Sequence, residues 1–163
     1  MKLRTSLLIL LLLITWPIAP AQAGEAVLKP FVSGSYQQLL ENHSGKPVML
    51  VIWATTCSTC MKKMPLLNKL HENHNDIEII MLSVDDFADA KQVQTILAQH
   101  GLNVLENWIF ADENAQRLRY EIDPQWFGEL PRTYFLDGKH QREGISGALS
   151  YEDYQAIFYA LAN

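Results

Sequence analysis

Apolar and polar residues along this chain follow two rhythms, and each change of rhythm marks an element. Pro47-Val48-Met49-Leu50-Val51-Ile52-Trp53 is an unbroken apolar run with β-branched residues, the pattern of a central strand buried on both faces. Ile77 to Val84 is a second such run, ended by the turn-forming pair Asp85-Asp86. Between them, from Cys60 to about His74, Met61, Met64, Leu67 and Leu70 recur every three residues with Lys62, Lys63 and Lys69 interposed, which predicts an amphipathic helix. Helices are also predicted from Ser35 to His43, with Ser35 as N-cap and Gly45 near the stop, and from Ala88 to His100, stopped by Gly101. A third helix of this kind runs from the cap Asp112 to about Tyr120. Trp108-Ile109-Phe110 and Thr133-Tyr134-Phe135-Leu136 read as short strands, and Asp137-Gly138 as a hairpin turn into a partner from His140 to Ile145. Ser150 caps a last helix that turns Tyr154, Ile157, Phe158 and Leu161 inward. The order is helix, strand, helix, strand, helix, strand, helix, strand, strand, helix. That alternation predicts an α/β sheet with helices on both faces.

The first 23 residues follow a different logic. Lys2 and Arg4 precede an apolar run from Leu7 to Ile14, and Ala21-Gln22-Ala23 fits small-x-small cleavage, so residues 1–23 read as an export signal and 24–163 as one domain. An uncleaved membrane anchor is the competing reading, but the uninterrupted run falls short of the roughly 20 residues a span requires. Without Lys2 and Arg4, the 13 basic residues become 11 against 18 acidic ones, a net charge of −7. Such a surface repels nucleic-acid phosphates.

The chain holds two cysteines, Cys57 and Cys60. A disulfide between them closes too short a loop to constrain the unfolded chain much, so reactivity explains the pair better than stapling. In Trp53-Ala54-Thr55-Thr56-Cys57-Ser58-Thr59-Cys60 the pair stands where a buried strand turns into a helix. There the first sulfur meets unpaired backbone N–H groups at the positive end of the helix dipole, which favours its thiolate. Cys60, one turn on, is expected to be more buried and able to attack a mixed disulfide on Cys57. A zinc site needs four ligands, which two thiolates do not supply, and no cofactor is implied.

At this point the sequence resembles the thioredoxin-like fold and, within it, the exported TlpA-like and ResA-like thiol-disulfide oxidoreductases. The likeness rests on the Trp-Ala-Thr-x-Cys-x-x-Cys run and on Gly128-Glu129-Leu130-Pro131-Arg132-Thr133-Tyr134-Phe135-Leu136-Asp137. The strand-helix segment from Glu78 to Gly101, with Ser83-Val84-Asp85-Asp86, is similar to the insertion that separates this group from plain thioredoxin. The resemblance implies a central mixed sheet and a cis Pro131 facing the cysteines, with the Leu130 backbone free to pair with an extended substrate. Leu130 and Trp53 would line an apolar groove beside Cys57, core packing being the other reading of both. It further implies a periplasmic enzyme that mostly reduces exported proteins, including in cytochrome c maturation, and a membrane partner that resets the pair.

The chain departs from the best-known relatives at several of these positions. Val51 stands where thioredoxin has a buried aspartate, with Glu129 a candidate replacement; Ser58-Thr59 replaces the dipeptides that tune potential; and Arg132 follows the proline in place of a typical threonine, a bias toward acidic partners.

Two other functions compete. A copper chaperone of this fold would add His140 to the two cysteines as a distant ligand, although such proteins use a longer cysteine spacing. A disulfide-forming oxidant would use the same two sulfurs with electrons flowing the other way. A peroxidase lacks its shell: counted back from Cys60, Trp53 and Cys57 stand where proline and a hydroxyl residue are needed, and counted back from Cys57 the hydroxyl position holds Ala54. His71 and His74 share a helix face and read as a solvated helix end rather than as metal ligands.

Overall fold

The computed structural model describes residues 26–162, so the export signal read from residues 1–23 lies outside the described residues. The elements are β1 (Leu28–Phe31), α1 (Ser35–Asn42), β2 (Val48–Trp53), α2 (Ser58–Asn73), β3 (Glu78–Ser83), α3 (Ala90–Gln99), β4 (Glu106–Phe110), α4 (Ala115–Ile122), β5 (Arg132–Leu136), β6 (Arg142–Ser146) and α5 (Tyr151–Ala162). They build one six-stranded sheet in the order β1-β4-β3-β2-β5-β6. β1, β4, β3 and β2 pair in parallel, whereas β5 pairs antiparallel with both β2 and β6, so the sheet is mixed.

β2 is buried at every position because both of its faces are covered. Met49, Val51 and Trp53 point to one layer, packed with Cys60, Met64, Leu67 and Leu70 of α2, Val93 and Leu97 of α3, and Tyr154 and Phe158 of α5. Val48, Leu50 and Ile52 point to the other, with Tyr36 and Leu39 of α1 and Leu118 and Ile122 of α4. This twofold alternation puts helices on both faces, as the sequence predicts.

Several boundaries differ from the expectation. β1 carries no sequence signal of its own: it is four residues long and contains Pro30, tolerated because β1 is an edge strand paired only with β4. Ser35 is the first residue of α1 rather than its cap; its hydroxyl accepts from the Val32 N–H at 2.9 Å, and Gly34 precedes it at φ 86°. Asp112 gives way to Asn114 as the cap of α4, because Asn114 Oδ1 accepts from the Arg117 N–H at 2.9 Å. Residues 87–89 form a short 3₁₀ turn before α3. The hairpin loop spans residues 137–141, with Asp137 Oδ1 accepting from Lys139 and Gln141 N–H groups at 2.8 Å each.

Candidate active site

β2 ends at Trp53, and residues 54–56 carry the chain over the end of the sheet into α2. Cys57 is the N-cap of α2, with extended backbone angles, and its Sγ accepts from the Cys60 N–H at 3.1 Å. A sulfur thus stands where a serine or aspartate oxygen would usually satisfy a helix's first N–H groups. Cys57 and Cys60 are joined by a disulfide, with their Cα atoms 5.2 Å apart. Cys57 is partly exposed and Cys60 is 2% exposed, the asymmetry expected of an attacking and a resolving thiol.

The loop before Cys57 is held from the neighbouring strand. Asp85, just past β3, accepts from the Thr55 N–H through Oδ2 and from the Thr55 hydroxyl through Oδ1, both at 2.8 Å. The Ser83 hydroxyl donates to the same Oδ2 at 2.6 Å, and the Val84 N–H donates to the Trp53 carbonyl at 2.9 Å. In the sequence Asp85-Asp86 reads as a turn and Ser83-Val84-Asp85-Asp86 as a family likeness, neither as a clamp; a Ser-x-Asp at the end of a buried strand is the available signal.

Pro131 is cis and buried. Arg132 pairs with Ile52, so Pro131 continues the register opposite Trp53, at the end of the sheet where Cys57 lies. The Gly147 N–H donates to the Pro131 carbonyl at 2.8 Å, and Trp126 Nε1 donates to the Glu129 carbonyl at 3.1 Å, fixing the loop from both sides. Leu130 is half-buried and touches both core layers. Trp53 does not line a groove: it is 1% exposed and packs in the layer that contains Cys60, because an odd position on β2 points beneath α2. Val51 is buried against Thr133 across the strands, and Glu129 is exposed, so neither sets a buried carboxylate under the cysteines.

A second network, unread in the sequence, flanks Pro131. Asp123 accepts from the Tyr134 hydroxyl at 3.0 Å, from Arg142 Nη2 at 3.0 Å and from the Gln125 N–H at 3.0 Å, with Arg132 Nη2 at 3.4 Å. Burial acts to raise this carboxyl, but the Gln125 and Tyr134 hydrogen bonds and the two guanidiniums outweigh it and hold the group below its ordinary range.

The copper reading loses its third ligand. Leu136 pairs with Val48 at the start of β2, which puts His140, four residues further on, at the opposite end of the sheet from Cys57. Among the described residues no three His, Cys, Asp or Glu side chains group as a metal site. His74 is not simply solvated either: Tyr151 and Tyr159 hydroxyls meet its ring nitrogens at 2.9 and 3.1 Å and tie α2 to α5.

A family model described as thioredoxin-like matches residues 45–133, more than half of the chain, taking in both cysteines and Pro131. The chain belongs to the thioredoxin-like family. Within that family it is similar to the ResA-type members. The thiol-disulfide oxidoreductase ResA of Bacillus thuringiensis (strain Al Hakam) is 31% identical over 122 residues, 68% of this chain and 65% of the relative. ResA of Geobacillus kaustophilus is 27% identical over 120 residues, 72% of this chain and 64% of the relative. The chain therefore spans a little under two thirds of these relatives' length. A secreted Mycobacterium tuberculosis disulfide oxidoreductase shares the fold, with a TM-score of 0.61 at 18% identity over 74% of this chain and 86% of that one.

Proposed function

We propose that this chain is an exported, periplasmic thiol-disulfide oxidoreductase that reduces disulfides of other exported proteins through Cys57 and Cys60. One observation carries this reading: a bonded cysteine pair at the first turn of α2, Cys57 partly exposed and Cys60 buried. The apolar run from Leu7 to Ile14 and the secreted Mycobacterium tuberculosis relative support an exported location.

In the dithiol form the Cys57 thiolate, favoured by the helix terminus, attacks one sulfur of a substrate disulfide. The S–S bond breaks, the other substrate sulfur leaves as a thiolate and is protonated, and a mixed disulfide remains on Cys57. Cys60 then loses its proton and attacks Cys57 Sγ, releasing the second substrate sulfur. Two electrons have passed to the substrate, and the Cys57–Cys60 disulfide remains. A membrane electron-transfer partner with a dithiol resets it. Cytochrome c maturation is the setting that the ResA-like resemblance implies.

Cys60→Ser removes the resolving step, so in a periplasmic extract Cys57 is expected to accumulate mixed disulfides visible on a non-reducing gel and lost with Cys57→Ala. An extract yielding no adducts would count against the reading. The reduction potential of the pair decides direction. A value near roughly −270 mV fits a reductant, and one near about −120 mV would transfer the assignment to a disulfide-forming oxidant.

A further inference from the structure

We propose that the face formed by the C-terminal end of α4 and the loop before Pro131 docks the substrate, accepting an extended segment that carries an aromatic or large aliphatic side chain and, beyond it, a carboxylate. The proposal rests on the oxidoreductase reading and names the substrate chemistry of that site.

Two adjoining clefts share Asp123 and Pro124. One is walled by Tyr120 and Phe127, which are 65% and 86% exposed. Isolated exposed aromatics are ordinary, but two walling one cleft, with arginines beside it, is a composition enriched at protein interfaces. The second cleft, about 480 Å³ and open to solvent, is lined by Arg132, Arg142 and Gly144.

The arginines in that cleft exceed their partners. Two guanidiniums face one carboxylate, and Asp123 already accepts from Tyr134, Arg142 and Gln125. Arg132 is the less satisfied of the two. Its Nη1 donates to the Ser146 hydroxyl at 3.0 Å, its contact with Asp123 is long at 3.4 Å, and its buried Nε has no partner among the described residues. The guanidinium carbon sits over the Tyr134 ring, 4.7 Å from its centre, and Gly144 leaves the space it occupies. A guanidinium has five donors, so this one retains capacity for an incoming carboxylate. On a chain of net charge −5, a local excess of positive charge selects an acidic segment.

Position links the face to the chemistry. Arg132 follows Pro131 directly and pairs with Ile52, at the Cys57 end of the sheet, and Phe127 lies three residues before the half-buried Leu130; Arg142, paired with Leu136, is rooted at the opposite end and reaches this face only through its guanidinium on Asp123. Leu130 touches both core layers, so its loop straddles the sheet end. On the proposed path a strand would hold its cysteine at Cys57 and cross the sheet end at Leu130, laying its neighbouring residues toward Phe127 and Arg132 on the α4 side.

The test uses the full chain in its reduced form and synthetic peptides, each carrying one cysteine as a mixed disulfide with a chromophoric thiol. A phenylalanine near the cysteine is followed by Glu, Gln or Lys, and kcat/KM is read at low salt. The Glu peptide is expected to exceed the Lys peptide by about three- to tenfold, the range of one partly exposed, charge-assisted contact. That ratio should shrink toward one in Arg132→Gln and Arg142→Gln, survive in Arg142→Lys, and fall with added salt, while Phe127→Ala lowers kcat/KM for the Phe peptides more than for Gly analogues. Equal rates for the Glu and Lys peptides in the unmodified protein would overturn the proposal without any variant having to fold. A Glu preference unchanged by both glutamine variants would do the same. Reduction of neutral hydroxyethyl disulfide separates the two readings. If the protein reduces it but shows no charge preference, only the docking face fails; if it does not, the oxidoreductase reading fails first.

Discussion

Both carboxylate oxygens of Asp85 are turned back onto the chain, holding Thr55 by its backbone and its hydroxyl at 2.8 Å two residues before Cys57. Removing them leaves Thr55 and Ser83 donors poorly satisfied, at about 1–3 kcal/mol for such a group. Asp85→Ala is therefore expected to lower the urea midpoint and slow disulfide exchange, because the Cys57 loop loses its fixed approach. Asp85→Asn, with one acceptor oxygen in place of two, should fall between; an alanine variant matching the unmodified protein in both measurements would show that the clamp is idle. At this scale the two cysteines were legible from their spacing at a strand-to-helix turn, and the cis Pro131 only through the family resemblance. Asp85 was not, since its partner stands 30 positions away and only the pairing of β2 with β3 brings them together. Trp53 was misplaced for a related reason: a run buried on both faces does not say which layer each residue enters.

Among the elements, β5 and β6 show how a small residue fixes a larger arrangement. Gly144 pairs with Tyr134, and a Cβ there would come within 2.6 Å of the Tyr134 ring and closer still to the Arg132 guanidinium. Tyr134 is fully buried and cannot move aside. Gly144→Ala is expected to destabilise by about 1–3 kcal/mol through overpacking, read as a lower Tm and urea midpoint. A neutral result would mean that the hairpin shifts freely. Helices α2, α3 and α5 were readable from their periodicity, and Ser150 is confirmed as the cap of α5: its hydroxyl accepts from the Asp153 N–H at 3.1 Å while Asp153 Oδ2 accepts from the Ser150 N–H at 3.0 Å. Where two polar residues compete for a cap, as Asp112 and Asn114 do, only the observed chain path chose between them.

For the molecule as a whole, paired carboxylates set the acid limit. Burial acts to raise Glu106, but hydrogen bonds from Lys29 and Trp108 and the nearby Lys29 and His43 charges outweigh it, and Asp123 is likewise held low. Carboxyls depressed in the folded state contribute stability that is fully present above their unfolded values, about 3.9 to 4.3, and is lost as pH falls through the lower folded values. The urea midpoint should thus stay level from neutral pH to about pH 5 and decline below about pH 4. Asp123→Asn should be less stable at neutral pH and approach the unmodified protein as pH falls; a constant gap would remove Asp123 from the linkage. By itself the sequence determined the α/β class, the two-sided burial of β2 and β3, and the place of the cysteine pair, because these follow from periodicity and spacing within short stretches of chain. Tertiary structure alone decided that Leu28–Phe31 is an edge strand, that Asp85 clamps Thr55, that Arg132 and Arg142 converge on Asp123, and that His140 lies far from the sulfurs. Each of these depends on which strands lie side by side and in which direction, and local sequence does not record that.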